Sequence, residues 1–346
     1  MEILNFMKES GFVKKKNDGG LTLLEMAYKN KNFEMFKYFI KCGYEINEWK
    51  SSLFHKICSC GDIKYAKLLL EDDFDVDFKC KKNTTAFSQV CYHGNIECMD
   101  FLLKHGADIN KSILISNNTA LEAVCSLGDF KCVEYLIKHG ANINNISDDG
   151  NTPLHTACNE NSIKCVELLI NSGAIINNSN SKGLTPLSIA CNFKNIECAD
   201  LLIKNKANIN CIDDFGNTPL MTAIISDNSK IIKYLGIKGA NAFIFNNSKK
   251  NTICKLMHDK EKLTFLLSNV PSSIYTMKYI FEKHCIGFFG KYKLRPFINQ
   301  QLKLEIAFLM IVNSNNKKSE LACFFAKFHG LKRLVAKKIV KYINAF

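Results

Sequence analysis

The stretch "GNTPLHTACNENSIKCVELLINSGAIINN", Gly150 to Asn178, decides the fold because it recurs along the chain. "GLTPLSIACNFKNIECADLLIKNKANIN" begins 33 residues later at Gly183, and "GNTPLMTAI" begins another 33 residues later at Gly216. Toward the N-terminus, similar stretches begin at Asn117, Asn83, Lys50 and Gly20. Seven units therefore fill most of the first 250 residues, and a fixed period of this length indicates a repeat protein.

Each unit predicts a pair of short helices. Thr152 followed by Pro153 favours a helix start, because the threonine hydroxyl accepts from free backbone amides and proline at the first helical position has no amide to lose. Apolar residues then recur at helical spacing, first at Leu154, Ala157 and Cys158, and then at Ile163, Val166 and Leu169. Gly173 supplies the left-handed residue that ends the second helix. Neighbouring pairs must stack to bury these faces.

The period, together with the motifs at 152–155 (Thr-Pro-Leu-His) and 106–110 (Gly-Ala-Asp-Ile-Asn), resembles the ankyrin repeat. The resemblance implies an all-α solenoid of about seven helix pairs over residues 20–249. We expect residues 1–19 to form an N-terminal cap and residues 250–346 to form a basic helical C-terminal module.

The chain contains 16 cysteines, and nine of them occupy two recurring positions of the repeat. They are Cys58, Cys91, Cys125, Cys158 and Cys191 in one column and Cys98, Cys132, Cys165 and Cys198 in the other. A small apolar side chain reused at a fixed period is typical of a core position. We therefore expect buried, reduced thiols rather than disulfides.

The net charge of +13 is placed unevenly along the chain. Residues 251–346 contain 17 Lys and Arg against 5 Asp and Glu, so the tail carries almost all of it. A basic tail is compatible with nucleic acid, an anionic membrane or an acidic protein as partner, and also with a solvated lysine-rich helical surface. The N-terminus lacks the apolar run of a signal peptide, and the longest apolar stretch, 304–312, is too short to span a bilayer. We expect a cytoplasmic protein, with the nucleus as a second compartment.

No pattern in the sequence predicts catalysis or a cofactor. Gly-rich phosphate loops, paired catalytic carboxylates and His-Glu-x-x-His helices are absent from the sequence. His55, Cys58 and Cys60 have the residue types of metal ligands, but the first two are repeat positions and we predict no metal site. At the position of His55 and His155, the family resemblance implies a hydrogen bond to the threonine or serine of the same unit. We therefore expect no enzymatic activity.

The resemblance also implies a protein-binding concave face built from hairpin tips and first helices. Its variable positions at the tips of this chain include Trp49, Lys82, Asp149, Lys182 and Phe215, and those on the first helices include Tyr92, Asn159 and Phe193. The aromatic members are the strongest candidates, because large aromatic side chains dominate interface energetics. For any single aromatic, packing against a neighbouring tip is an equally good interpretation.

A non-repeating segment follows the array. Pro271 begins a predicted helix whose apolar stripe consists of Ile274, Met277, Phe281 and Cys285. The stripe caps the last repeat in the simplest interpretation. The segment also resembles the start of the SOCS box of ankyrin-repeat and SOCS-box proteins. The resemblance places a divergent box at about 270–309 and implies binding to elongin B/C and a cullin. Ile274 and Lys278 depart from the leucine and cysteine of that motif, and the family's Leu-Pro-rich cullin segment is absent.

These observations predict a protein-interaction adaptor that captures one partner on the array and a second through its tail. If the SOCS-box resemblance holds, the captured protein becomes a substrate for ubiquitination. The alternative is a stoichiometric masking protein or scaffold without a ligase link. Tethering to nucleic acid or membrane through the tail is a third hypothesis, and it predicts binding that collapses with added salt.

Overall fold

The computed structural model describes residues 20–41, 48–70, 74–80, 83–112, 117–242, 244, 246–248 and 252, without the side chains of residues 48–51. Seven successive pairs of short helices account for the regular structure of these residues. The predicted all-α class and the seven units are therefore confirmed. The described residues up to Asp214 belong to one compact unit, and those from Phe215 onward belong to a second.

The helices alternate along the chain as first and second members of each pair. The first helices are α1 (Leu23–Lys29), α3 (Glu48–Ser59), α5 (Ala86–Tyr92), α7 (Ala120–Leu127), α9 (Pro153–Asn159), α11 (Pro186–Asn192) and α13 (Pro219–Ile225). The second helices are α2 (Phe33–Lys41), α4 (Ile63–Leu69), α6 (Ile96–Lys104), α8 (Phe130–Lys138), α10 (Ile163–Asn171), α12 (Ile196–Lys204) and α14 (Ser229–Ile237).

The threonine at the start of the repeat motif marks the beginning of a first helix, as the sequence predicted for Thr152. Thr152 is the extended N-cap residue of α9, and Pro153 is its first helical residue. The first unit lacks the proline, and its helix begins instead at a capping box. There the backbone N–H of Thr22 donates to Glu25 Oε2 at 2.8 Å, and the N–H of Glu25 donates to Thr22 Oγ1 at 3.3 Å.

Left-handed residues end the helices of a pair. Asn161, between α9 and α10, has φ of +55°, and Gly173, after α10, has φ of +96°. Both positions lie where the sequence predicted a turn, and glycine and asparagine adopt this conformation at least cost. The chain therefore reverses direction after each short helix, so the two helices of a pair can pack side by side.

The core of the first unit lies between stacked pairs. The first helices α3, α5, α7, α9 and α11 pack against one another in order, and the second helices α8, α10 and α12 do the same. All nine repeat cysteines are buried and free, as the spacing predicted. Burial raises the pKa of the Cys91 thiol well above its ordinary value, which keeps it protonated and apolar in character. In the second unit, α13 packs against α14.

Asparagine side chains link neighbouring repeats within the first unit. Asn144 Oδ1 accepts a hydrogen bond from the backbone N–H of Ile175 at 2.8 Å. In the same way, Asn110 Oδ1 accepts from the backbone N–H of Asn142 at 2.7 Å, and Asn177 Oδ1 accepts from that of Asn208 at 2.8 Å. The last asparagine of the Gly-Ala-Asx-Ile-Asn motif therefore has a structural role, because it satisfies a backbone donor of the next repeat.

Within the described ranges, no helix is both long enough and apolar enough to cross a membrane.

Candidate protein-binding surface

The C-terminal ends of four adjacent first helices carry a row of exposed side chains, which we call the first-helix strip. The strip consists of the exposed Tyr92, Leu127, Glu160, Asn192 and Phe193 and the half-buried Asn159. Tyr92 has 61% of its surface exposed, Leu127 has 45% and Phe193 has 52%. Large apolar side chains at this level of exposure leave area available for burial against a partner.

The strip is exposed because of where each helix directs its buried face. Cys91 in α5, Cys125 in α7 and Cys158 in α9 are buried, and each stands only one or two residues before a strip position. Consecutive helical residues point about 100° apart, so the side chain after the buried cysteine faces outward. Because α5, α7, α9 and α11 stack in order, these outward side chains form a continuous row.

His155 links its own helix to the next repeat through hydrogen bonds beneath the strip. Its Nδ1 accepts from the backbone N–H of Thr152 at 3.1 Å and lies 2.9 Å from Thr152 Oγ1. Its Nε2 donates to the carbonyl oxygen of Leu184 in the next repeat at 3.1 Å. Burial lowers the pKa of His155 to about 4, so the ring is neutral, and the predicted structural bond to threonine is confirmed.

Glu122 occupies in α7 the position that His155 occupies in α9. It is only 4% exposed, and its Oε2 accepts from the backbone N–H of Thr119 at 3.0 Å and from Asn145 Nδ2 at 3.2 Å. Burial raises the pKa of Glu122 to about 7, against the lowering effect of these two hydrogen bonds. The array therefore contains a buried carboxyl group that titrates near neutral pH.

The hairpin tips of successive repeats contact each other through the backbone. The N–H of Ser181 donates to the carbonyl oxygen of Asp149 at 3.0 Å, and the N–H of Asp214 donates to that of Lys182 at 3.2 Å. A Cβ atom added at Gly183, which has φ of +71°, would lie 2.6 Å from the nitrogen of Asp214. The tips are therefore tightly packed backbone, with the side chains of Asp149 and Lys182 exposed beside them.

The structure places the other predicted site residues differently. Trp49 lies inside α3 rather than at a hairpin tip. The tip position of this unit is Lys50, where other units have glycine or asparagine with positive φ, so the helix extends through the position where the turn would form. Phe215 is exposed and belongs to the second unit. Lys82 lies outside the described residues, as does the predicted helix with Ile274, Met277, Phe281 and Cys285.

One position of the hairpins carries exposed isoleucines that were not predicted. Ile146 and Ile212 are both more than half exposed and precede the tips of their repeats. The equivalent residue between them in sequence is Ser179. The serine at this repeat position could have indicated from the sequence that the position is exposed, because a core position would have stayed apolar.

A helix-pair repeat array with an exposed aromatic row is the architecture of an interaction scaffold. The family model for ankyrin repeats, which describes three copies of the repeat, matches the chain at residues 23–113, 111–180 and 173–246. These matches cover well over half of the sequence, and the chain belongs to the ankyrin-repeat family. No individual curated protein is significantly similar to the chain in sequence.

Proposed function

We propose that the protein is an adaptor that binds a partner protein on the first-helix strip, with the hairpin tips as a second contact region. The observation that carries the proposal is the exposure of Tyr92, Leu127 and Phe193 in one row on stacked helices. Aromatic side chains in such a row are the residue types that dominate binding energy in protein interfaces. Asp149, Lys182 and Asn159 would contribute polar contacts around them.

The packing of the helices holds the residues of the strip in place before a partner binds. Tyr92 ends α5, which packs against α3 and α7, and Phe193 directly follows α11, which packs against α9. His155 joins its own helix to the following repeat by a hydrogen bond. Because little conformational freedom remains in the helices, a partner would meet a preorganised surface, which lowers the entropic cost of association.

Recruitment of a ubiquitin ligase is the second part of the proposal, and it rests on the sequence alone. Ile274, Met277, Phe281 and Cys285 would form the apolar face that enters elongin C, with a cullin bound beyond it. The partner on the strip would then be the substrate for ubiquitination. We place this activity in the cytosol or nucleus, since the described cysteines are free thiols.

Affinity purification of the full chain with quantitative mass spectrometry tests both parts. The double substitution Tyr92→Ala and Phe193→Ala should deplete the strip partner, while Ile175→Ala, at an equally exposed isoleucine, should retain it. A partner that is retained equally by all three proteins would exclude the strip as its binding site.

The ligase hypothesis has its own variants. Ile274→Asp with Met277→Asp should remove elongin and cullin peptides and leave the strip partner bound, because only the apolar stripe is changed. Lys278→Asp, off the stripe, is the control and should keep them. If elongin and cullin are absent from the wild-type purification, the ligase hypothesis is wrong, and the masking protein or scaffold is the remaining function.

A further inference from the structure

The first-helix strip is nearly free of charge, although the protein as a whole is strongly basic. Its only residue with a formal charge is Glu160, and Lys194, in the turn just after Phe193, has the opposite sign. The exposed ring of His93 lies beside Tyr92, at 5.8 Å between ring centroids. Glu160 Oε1 already accepts a hydrogen bond from Asn159 Nδ2 at 2.7 Å. The strip therefore offers a partner mainly aromatic, aliphatic and amide groups, with one carboxylate whose charge Lys194 offsets.

Charge is concentrated on the second helices instead. Lys104 pairs with Asp100 at 2.6 Å, and Lys138 pairs with Glu134 at 3.3 Å, both in exposed positions. Lys204 and Asp200 repeat this arrangement at 2.7 Å. The first-helix strip is thus nearly uncharged, whereas the exposed side of the second helices carries ion pairs.

Resting on the function proposed above, we infer that the strip binds an uncharged segment of its partner with apolar side chains. A charged segment would lose its hydration against Tyr92, Leu127 and Phe193 without gaining an opposite charge. An apolar segment gains free energy from the same contact, because both surfaces leave water. The occupant is therefore a neutral peptide rather than nucleic acid or an acidic protein tail.

The geometry of the stack sets the length of that segment. From Tyr92 to Phe193 the strip crosses three helix-to-helix steps, from α5 through α7 and α9 to α11. Packed helices lie about 8–10 Å apart, so the strip spans roughly 27 Å. An extended chain advances about 3.3 Å per residue, and about eight residues cover this distance. A helix would need about 18 residues for the same span.

Peptide display against the immobilised full chain tests the inference. The probe is a phage library of random peptides of about 20 residues, long enough to cover the strip in either conformation. Enriched peptides are synthesised, shortened from each end, and titrated against the wild type, the Tyr92→Ala and Phe193→Ala double variant, and Ile175→Ala. Titrations at about 50 mM and about 500 mM NaCl separate apolar from electrostatic binding, since salt screens the latter.

We expect enrichment of uncharged, apolar peptides whose minimal length lies between about eight and about 18 residues, the lengths that an extended chain and a helix need to cover the strip. Their affinity should fall by about tenfold or more in the double variant, stay unchanged in Ile175→Ala, and change little with salt. Acidic or basic peptides that depend on Tyr92 and Phe193 would overturn the inference and leave the proposed function standing. Enrichment that ignores both residues would overturn the inference and the proposed function together.

Discussion

Asn144 accepts a hydrogen bond from the backbone N–H of Ile175, one repeat further along the chain, at 2.8 Å, and its Nδ2 donates to the carbonyl oxygen of Gly173 at 3.3 Å. One side chain thereby satisfies a donor and an acceptor of the next repeat. The arrangement recurs at Asn110, which bonds Asn142 and Gly140. These side-chain amides add hydrogen bonds to the buried apolar contacts that join neighbouring repeats.

Asn144→Ala should therefore destabilise the array. The substitution leaves the N–H of Ile175 without its side-chain acceptor, and we expect a loss of about 1–2 kcal/mol in the free energy of unfolding. Equilibrium urea unfolding measures it. Asn171→Ala, at an exposed asparagine that ends α10, is the control and should change stability by about 0.5 kcal/mol or less. Equal losses in both variants would show that the inter-repeat bonds contribute nothing.

Glu122→Gln should change how stability depends on pH. The pKa of Glu122 is about 7 in the folded protein against an ordinary value of 4.5, so the folded state binds more protons between these values. The free energy of unfolding of the wild type should consequently fall as pH rises from about 4.5 to about 7, and level off above that. Glutamine keeps an oxygen acceptor for Thr119 and Asn145 but cannot ionise.

The stability advantage of the glutamine variant should grow across this window by up to about 3 kcal/mol. His155, whose pKa is lowered to about 4, acts in the opposite direction, because its contribution is lost as pH falls below its ordinary value. His155 is present in both proteins, so its effect cancels in the difference. Parallel stability curves for wild type and variant would show that Glu122 is not a buried carboxyl group.

Much of this fold could be predicted from one repeat. Thr152, Pro153 and Gly173 mark helix boundaries by local chemistry, and the structure has boundaries at these residues. The bond between Asn144 and Ile175 could not be predicted, because it joins residues 31 positions apart whose proximity depends on the stacking. Glu122 was also missed, although its alignment with His155 was a visible signal that it lies in the same buried column.

Part of the candidate site could also be predicted from the sequence. Tyr92 and Phe193 directly follow the helical core positions, so their exposure follows from helical periodicity. Trp49 was placed at a tip by analogy with other repeats, and the absence of glycine or asparagine at residue 50 removed the basis for that turn. The exposure of a hairpin residue such as Ile146 depends on its neighbours in space, which helical periodicity does not supply.

Gly183→Ala should be more destabilising than Gly173→Ala. Both glycines have positive φ, so alanine is strained at either position by about 1 kcal/mol. At Gly183 the new Cβ would also lie 2.6 Å from the nitrogen of Asp214 and 2.9 Å from the carbonyl carbon of Asp213, whereas nothing lies within 4 Å at Gly173. We expect a further loss of about 1–2 kcal/mol in thermal or urea unfolding. Equal losses would mean that the tips are not closely packed.

The repeat cysteines should react slowly with alkylating reagents in the native protein. Cys91, Cys125 and Cys158 are buried, and burial raises the pKa of the Cys91 thiol, which removes both access and thiolate character. Cys60 is exposed and should be labelled first among the cysteines that the structure describes. Iodoacetamide treatment followed by peptide mass mapping measures each site separately. Rapid labelling of Cys125 would contradict the packing of the array.

The most direct test of the central claim is site-specific photo-crosslinking in cells. A benzophenone amino acid placed at Leu127, in the middle of the first-helix strip, should crosslink the full chain to one defined partner. The same group at Ile175, which is exposed to a similar extent on a hairpin, should not crosslink to that partner. Crosslinking of the partner from Ile175 and not from Leu127 would contradict the account, because the partner would then bind away from the strip.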